Sequence, residues 1–252
     1  MRPREMLEEW IALAPPMRRV RFALVLEELE RYAGDRAIRV LDAGCGDGLL
    51  SLRIAQRHRS WEIVGIDALP EAVLTARRRA ARRGLGNVRF VHGDLLGPRS
   101  EGKFDAVLGI ECLTEILDHH EALLTMVASL DNGGTLIVHV PERSWTPILP
   151  GSAPVWRDEV RHGYGEDELA EMLHSVGVAS VRVRPTARGT VTVAQEIRDR
   201  IKARSIVLRT LAFPFMVAAE HLERWGATWG PDRALLATGI RAPSSIAASK
   251  RA

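Results

Sequence analysis

The chain has 252 residues, 46% of them hydrophobic, which suffices for a proper core in one large domain or two small ones. Its formal net charge is only +3 and its pI about 9.2. That balance is too modest for a dedicated nucleic-acid binder, and it neither demands nor excludes an anionic substrate. The two cysteines, Cys45 and Cys112, are far apart and lack CxxC spacing, so neither a zinc site nor a disulfide framework follows.

In chain order, residues 6–32 read as helical with a break at Pro15-Pro16. Phe22, Val25, Leu26, Leu29 and Tyr32 form an apolar stripe. The N-terminus has helical spacing rather than a continuous apolar run, which argues against a secretory signal. A short strand at 38–42 ends at a glycine-rich turn and a helix follows at 49–58. Next come a strand at 62–67, a helix at 70–83 with Pro70 in its first turn, and a strand at 88–92. Residues 104–110 are almost all apolar, as a strand buried on both faces should be. A helix at 120–130, a turn at Asn132-Gly133-Gly134 and a strand at 135–140 complete this run. Beyond Pro141 the pattern gives a loop, a helix at 166–176, strands at 178–183 and 234–241, and a long helical insertion at about 193–225 between those two strands.

This alternation predicts a Rossmann-like, doubly wound α/β sheet of about seven strands, mostly parallel with the last antiparallel, helices on both faces and a helical insertion before the last strand. The expected organisation is an N-terminal helical cap at 1–33, the main domain at 34–242 with its insertion at about 186–232, and a flexible tail at 243–252. The longest apolar stretch, 206–219, contains Arg209 and Pro214 and is too short to span a bilayer. A cytoplasmic protein is expected.

The chemistry concentrates in Val40-Leu41-Asp42-Ala43-Gly44-Cys45-Gly46-Asp47-Gly48, which leaves a strand and opens a helix. A dinucleotide-binding loop reads GxGxxG and turns its helix toward a pyrophosphate. Here the spacing is GxGxG, and Asp42 just ahead would repel a pyrophosphate but suit an ammonium group. Asp67, ending the second strand, stands where an acid accepts hydrogen bonds from ribose hydroxyls. After the third strand, Gly93-Asp94-Leu95 offers an acceptor for an adenine amine at Asp94, while Leu95 and Ala68 offer apolar contact to the base.

Together these residues resemble the class I, small-molecule type of S-adenosylmethionine-dependent methyltransferases over about 38–140. Phe104-Asp105-Ala106-Val107 is similar to the opening of that family's fourth strand. Leu130-Asp131-Asn132-Gly133-Gly134-Thr135-Leu136 is similar to its L-x-P-G-G-x-L turn, with Asn132 in place of proline. The resemblance implies S-adenosylmethionine as cofactor. It places Gly44, Gly46 and Gly48 against the methionine part, with Asp42, Ala43 and Cys45 in the same string. Asp67 falls at the ribose, Ala68, Gly93, Asp94 and Leu95 at the adenine, and Glu111 at the methionine end.

Many small-molecule relatives carry Leu-Glu-His after the fourth strand; this chain has Leu113-Thr114-Glu115. Glu115 is therefore a candidate carboxylate base, set against a plain solvated helix residue. His162, before a helix, is a second candidate base with a surface-loop role as its alternative. His119 and His120 have weaker cases, and His139, inside a strand, suits core packing. Trp145 and Trp156 could wall an apolar acceptor or simply anchor the loop. In the insertion, Leu208, Leu211, Phe213, Phe215 and Met216 form an apolar patch. It is read first as a cap over the pocket, then as a dimer surface, then as a peripheral membrane contact. The Arg-rich run at 77–83 is read as a solvated helix face.

The expected function is methyl transfer to a small, partly apolar acceptor by a monomer or homodimer. An RNA or protein acceptor is the main alternative. Against it, Gly109-Ile110-Glu111-Cys112 replaces the Asn/Asp-Pro-Pro-Tyr string of relatives that methylate base amines. A member repurposed for other chemistry is the third reading.

Overall fold

In a computed structural model, which describes residues 15–97, 102–150, 160–202, 214–215, 217–219, 221–222, 229–230 and 233–243, seven strands form one sheet in the order β3-β2-β1-β4-β5-β7-β6. The strands are β1 (Arg39–Ala43), β2 (Glu62–Asp67), β3 (Val88–His92), β4 (Phe104–Ile110), β5 (Leu130–Pro141), β6 (Val178–Thr186) and β7 (Ala234–Arg241). Only β7 runs antiparallel to the rest, pairing with β5 on one side and β6 on the other. The strand order reverses between β1 and β4, which is where such a sheet opens a crevice at its carboxyl edge.

Among the described residues, the helices given in full are α1 (Pro16–Ala33), α2 (Leu49–Arg57), α3 (Pro70–Arg82), α4 (His119–Ser129), α5 (Glu166–Ser175) and α6 (Gly189–Lys202), with a 3-10 turn at Leu113–Glu115 and further helical residues at 214–215, 217–219 and 221–222. Period-2 alternation in the strands sorts the core into two layers. Val40 and Ile63 face Val25, Leu29, Leu52 and Val191, from α1, α2 and α6. Leu41 and Val64 share the opposite layer with Leu123, Met126 and Leu169, from α4 and α5. Burying such side chains on both faces supplies the main drive to fold, about 1.5–3 kcal/mol for each large one.

Helix α1 starts with Pro16, whose missing N–H costs nothing in a first turn. It ends at Gly34, where a φ of 55° lets the Gly34 N–H close onto the Glu30 carbonyl at 3.0 Å. Its expected stripe is buried at Phe22, Val25, Leu26 and Leu29. Residues 1–14 of the expected cap and 244–252 of the tail lie outside the described residues.

Two expectations need correction. The fifth strand was expected at 135–140, but β5 already begins at Leu130, because the Asn132-Gly133-Gly134 segment is a bulge within the strand. Pairing with β4 shifts from Phe104–Leu130 directly to Ala106–Thr135. The insertion helix was expected from 193, but α6 begins at Gly189, directly after β6. Of its expected apolar patch only Phe215 is described, and it is exposed; Leu208, Leu211, Phe213 and Met216 lie outside the described residues, as does Trp156. Among the described residues no helix is long and apolar enough to cross a membrane.

Candidate cofactor and acceptor site

At the carboxyl ends of β1, β2 and β4 lies a cavity of about 570 Å³. One wall is the glycine turn between β1 and α2, and its shape follows from backbone bonds to the end of β2. The N–H groups of Gly44 and Cys45 both donate to the Ile66 carbonyl, at 2.8 and 2.9 Å, and the Gly46 N–H donates to Asp67 Oδ2 at 2.7 Å. Arg79, from α3, braces the turn through Asp47, 2.7 Å from its carboxylate and 2.9 Å from its carbonyl. Arg79 thus departs from the solvated face expected of the run at 77–83.

The three glycines have different tasks. A Cβ on Gly44 would fall 2.5 Å from Cys112 Cβ, so Gly44 lets the turn pack on the segment after β4. A Cβ on Gly46 would meet nothing within 4 Å, and this residue presents open backbone to the cavity. A Cβ on Gly48 would strike Ala76 and the Phe90 ring at 2.7 Å. Gly48 therefore serves packing at the start of α2 and does not line the cavity. Ala43, fully buried, and Gly93, half-buried, likewise do not line the cavity.

Asp42 lines the cavity although it is 2% exposed. Ser51 Oγ donates to it at 2.5 Å. Burial, helped by the Asp67 charge, nevertheless pushes the Asp42 pKa up to about 6. Asp67 accepts the Gly46 and Leu69 N–H groups, one on each oxygen. A carboxylate has about four lone-pair sites, so both oxygens keep capacity toward the cavity. Asp94 Oδ1 takes the Leu96 N–H at 2.9 Å, and Ala68, Leu69, Asp94 and Leu95 form the far end. The thiols of Cys45 and Cys112, both at the wall, are held protonated by burial and by Asp42.

The opposite end was only partly legible. Glu111 adopts a φ of 62°, in the left-handed region unusual for a non-glycine residue, and its N–H donates to the His139 carbonyl at 2.8 Å. Its carboxylate meets Arg21 Nη1 at 2.9 Å and His139 Nδ1 at 2.6 Å. Burial opposes the charge, but Arg21 and His139 outweigh it and hold the carboxyl at about 2. His139 is buried as expected of a core residue, and burial lowers its pKa. The imidazole is therefore neutral, with its other nitrogen 3.2 Å from Thr186 Oγ1.

Arg18, Arg21 and Phe22 of α1 also line the cavity and were not anticipated. Positions 18, 22, 25 and 29 share one helical face, so an arginine continuing a buried stripe was the available signal. Glu115 is exposed yet sits on the cavity lining beside Ile116. His162 is exposed and absent from that lining. Its neighbours explain why: Tyr164 is fully buried with its hydroxyl donating to the Leu113 carbonyl at 3.4 Å, and Gly163 packs on the Pro141 carbonyl, which turns His162 outward. Trp145 is buried with the Arg233 guanidinium 4.0 Å above its ring, the anchoring one of its two expected roles.

A buried carboxylate of raised pKa beside a second carboxylate repels a pyrophosphate and suits a cation, so these residues fit S-adenosylmethionine better than a dinucleotide. Comparison agrees. Residues 40–134 match the family described as "Methyltransferase domain". The matched segment runs from β1 into the bulge of β5 and carries the glycine turn, so this part of the chain is similar to a methyltransferase domain, set here in a Rossmann-like sheet. The chain is similar to the demethylmenaquinone methyltransferase of Thermus thermophilus, 39% identical over 101 residues, 40% of this chain and 46% of that protein. It is also similar to the release factor glutamine methyltransferase of Bacillus cereus, 35% identical over 86 residues, 33% of this chain and 30% of that protein. The match thus spans less than half the length of either relative. Among solved structures the [4+2]-cyclase SpnF shares the fold, with a TM-score of 0.63 at 23% identity, covering 88% of this chain and 81% of that one.

Proposed function

We propose that the protein transfers the methyl group of S-adenosylmethionine to a small-molecule acceptor, at oxygen, nitrogen or carbon. The observation that carries this reading is the buried Asp42 carboxylate at the mouth of an open glycine turn, next to Asp67. Asp42 pairs with the cofactor's ammonium group and Arg18 with its carboxylate. The Gly44 and Gly46 backbone lies against the methionine part, Asp67 holds the ribose hydroxyls, and Asp94, Ala68 and Leu95 receive the adenine. Ala43, Cys45, Gly48 and Gly93 support these contacts from behind or beside them.

When bound, the cofactor supplies an electrophilic methyl on a positively charged sulfur, whose departure needs no acid. The chain's main task is therefore orientation, which contributes as much as roughly 7–11 kcal/mol. The glycine turn, held to β2 by two N–H groups on the Ile66 carbonyl and one on the Asp67 carboxylate, is preorganised for that task. Glu115, exposed at the rim, is the carboxylate placed to take an acceptor proton where one must leave. Glu111, held charged by Arg21, fixes the field at the methionine end.

The likeness to a release factor glutamine methyltransferase favours a protein acceptor as the second reading. Against it stands Gly109-Ile110-Glu111-Cys112 after β4. Incubation with methyl-labelled S-adenosylmethionine and a size-fractionated cell extract separates the readings. The proposal expects label in the small-molecule fraction; label only in protein or RNA would overturn it. Firm cofactor binding with no labelled product would point to a repurposed member.

A further inference from the structure

Two arginines approach the carboxyl ends of β4 and β5 with buried donors that no acceptor takes among the described residues. Arg21 gives Nη1 to Glu111, yet its Nε is buried without a hydrogen-bond partner among the described residues. Arg233, the residue before β7, has a buried Nη1 in the same condition while its guanidinium lies over Trp145. Because β7 is antiparallel, its start faces the end of β5: Ala234 pairs with Pro141, and the Glu142 N–H donates to the Arg233 carbonyl at 3.0 Å. A chain of contacts leads from Arg21 to the residue next to Arg233. It runs from Arg21 through Glu111 at 2.9 Å, His139 at 2.6 Å and Thr186 at 3.2 Å to the Ala234 carbonyl at 3.2 Å.

Among the described residues, the acids that act on Arg233 are already engaged. Glu111 is shared by Arg21 and His139. Glu196 accepts the Ile148 and Leu149 N–H groups at 3.0 and 2.8 Å. Asp199 accepts from Gln195 Nε2, at 3.1 and 3.0 Å, and from Arg198 at 3.1 Å. Neutral His139 adds no compensating charge. Burial lowers the Arg233 pKa even with these acids nearby, as expected of a desolvated cation short of direct partners. A guanidinium presents a planar fork of donors that matches a carboxylate or phosphate.

We infer that the acceptor carries an anionic group, a carboxylate or a phosphate, held by Arg21 and Arg233 at the carboxyl ends of β4 and β5. Calling that ligand the acceptor rests on the proposed methyl transfer; the anion site itself rests on the two arginines.

The test titrates protein saturated with S-adenosylhomocysteine with benzoate, phenyl phosphate and benzylamine at fixed ionic strength. At least one anion binds at least tenfold more tightly than benzylamine, and the tighter anion distinguishes carboxylate from phosphate. Arg233→Gln weakens that anion at least tenfold and leaves S-adenosylhomocysteine affinity unchanged. Arg233→Lys, which keeps the charge but not the fork, recovers part of the loss and guards against a folding defect in the first variant. Benzylamine binding as tightly as either anion overturns the inference. So does unchanged anion affinity in variants that melt like the parent. If the parent fails to bind S-adenosylhomocysteine, the methyltransferase reading falls, while the same titration of unliganded protein still decides the anion site.

Discussion

Asp42 keeps its carboxylate 2% exposed, and burial and the Asp67 charge raise its pKa from 3.8 to about 6. The sign follows directly. Above pH 6 the folded chain carries a charge that the unfolded chain carries more comfortably, so stability is penalised there, and the penalty disappears below about pH 4. The shift corresponds to about 3 kcal/mol. Asp42→Asn should therefore raise the melting temperature of the unliganded protein at pH 8 while weakening S-adenosylmethionine at least tenfold, a trade of stability for function. Because the cation needs the ionised form, affinity in the parent should fall about tenfold between pH 7.5 and pH 5. Adenosine, lacking the amino-acid end, should show no such fall. Glu111 has the opposite sign: its depressed pKa adds stability above about pH 4.5 that is lost as the pH falls toward 2. Asp42, Asp67 and Asp94 were legible because each lies at a strand's end or within two residues of it, beside a recognisable turn. Arg18 and Arg21 were not, since an arginine on an apolar stripe reads as a snorkelling surface residue until the sheet edge beneath it is known. His162 had the right residue type in the right loop, but only the inward turn of Tyr164 decides where its ring points.

The turn from β1 to α2 separates glycines that shape the fold from one that faces open cavity space. Gly48→Ala combines a φ of 77° with a clash against Ala76 and Phe90, and should cost about 3 kcal/mol by thermal or chemical unfolding. Gly46→Ala meets only backbone strain at φ 54° and should cost about 1 kcal/mol. Cofactor affinity should nevertheless fall more in Gly46→Ala, because its added methyl enters the cavity. A second element-scale device is the pinning of the segment after β5 to α6, where Glu196 accepts the Ile148 and Leu149 N–H groups. Glu196→Gln should speed hydrogen exchange over 146–150 and lower turnover while leaving S-adenosylhomocysteine affinity unchanged. β2, β3, β4 and β7 have the bounds their apolar runs predicted. β5 does not, because a glycine pair looks the same in sequence whether it closes a turn or bulges within a strand. The onset of α6 was hidden for a related reason: Gly189 and Thr190 are poor helix formers, and tertiary packing on α1 overrides that preference.

At the scale of the molecule, the sheet order places one end of the cavity under residues with a recognisable signature and the other under residues without one. The proposed cofactor end is built from neighbours in sequence at the ends of β1, β2 and β3. The proposed anion site draws on Arg21 of α1, His139 and Thr186 of β5 and β6, and Glu111 and Arg233 from the segments next to β4 and β7, so no local string announces it. The central claim is that the glycine turn and its carboxylates receive a sulfonium cofactor. It is tested most directly by calorimetric titration of the purified protein with S-adenosylmethionine, S-adenosylhomocysteine and NAD. The account predicts micromolar binding of the first two, abolished by Gly46→Arg and weakened by Asp67→Ala, with no heat from NAD. Absence of binding by both S-adenosyl compounds, or a preference for NAD, would contradict it.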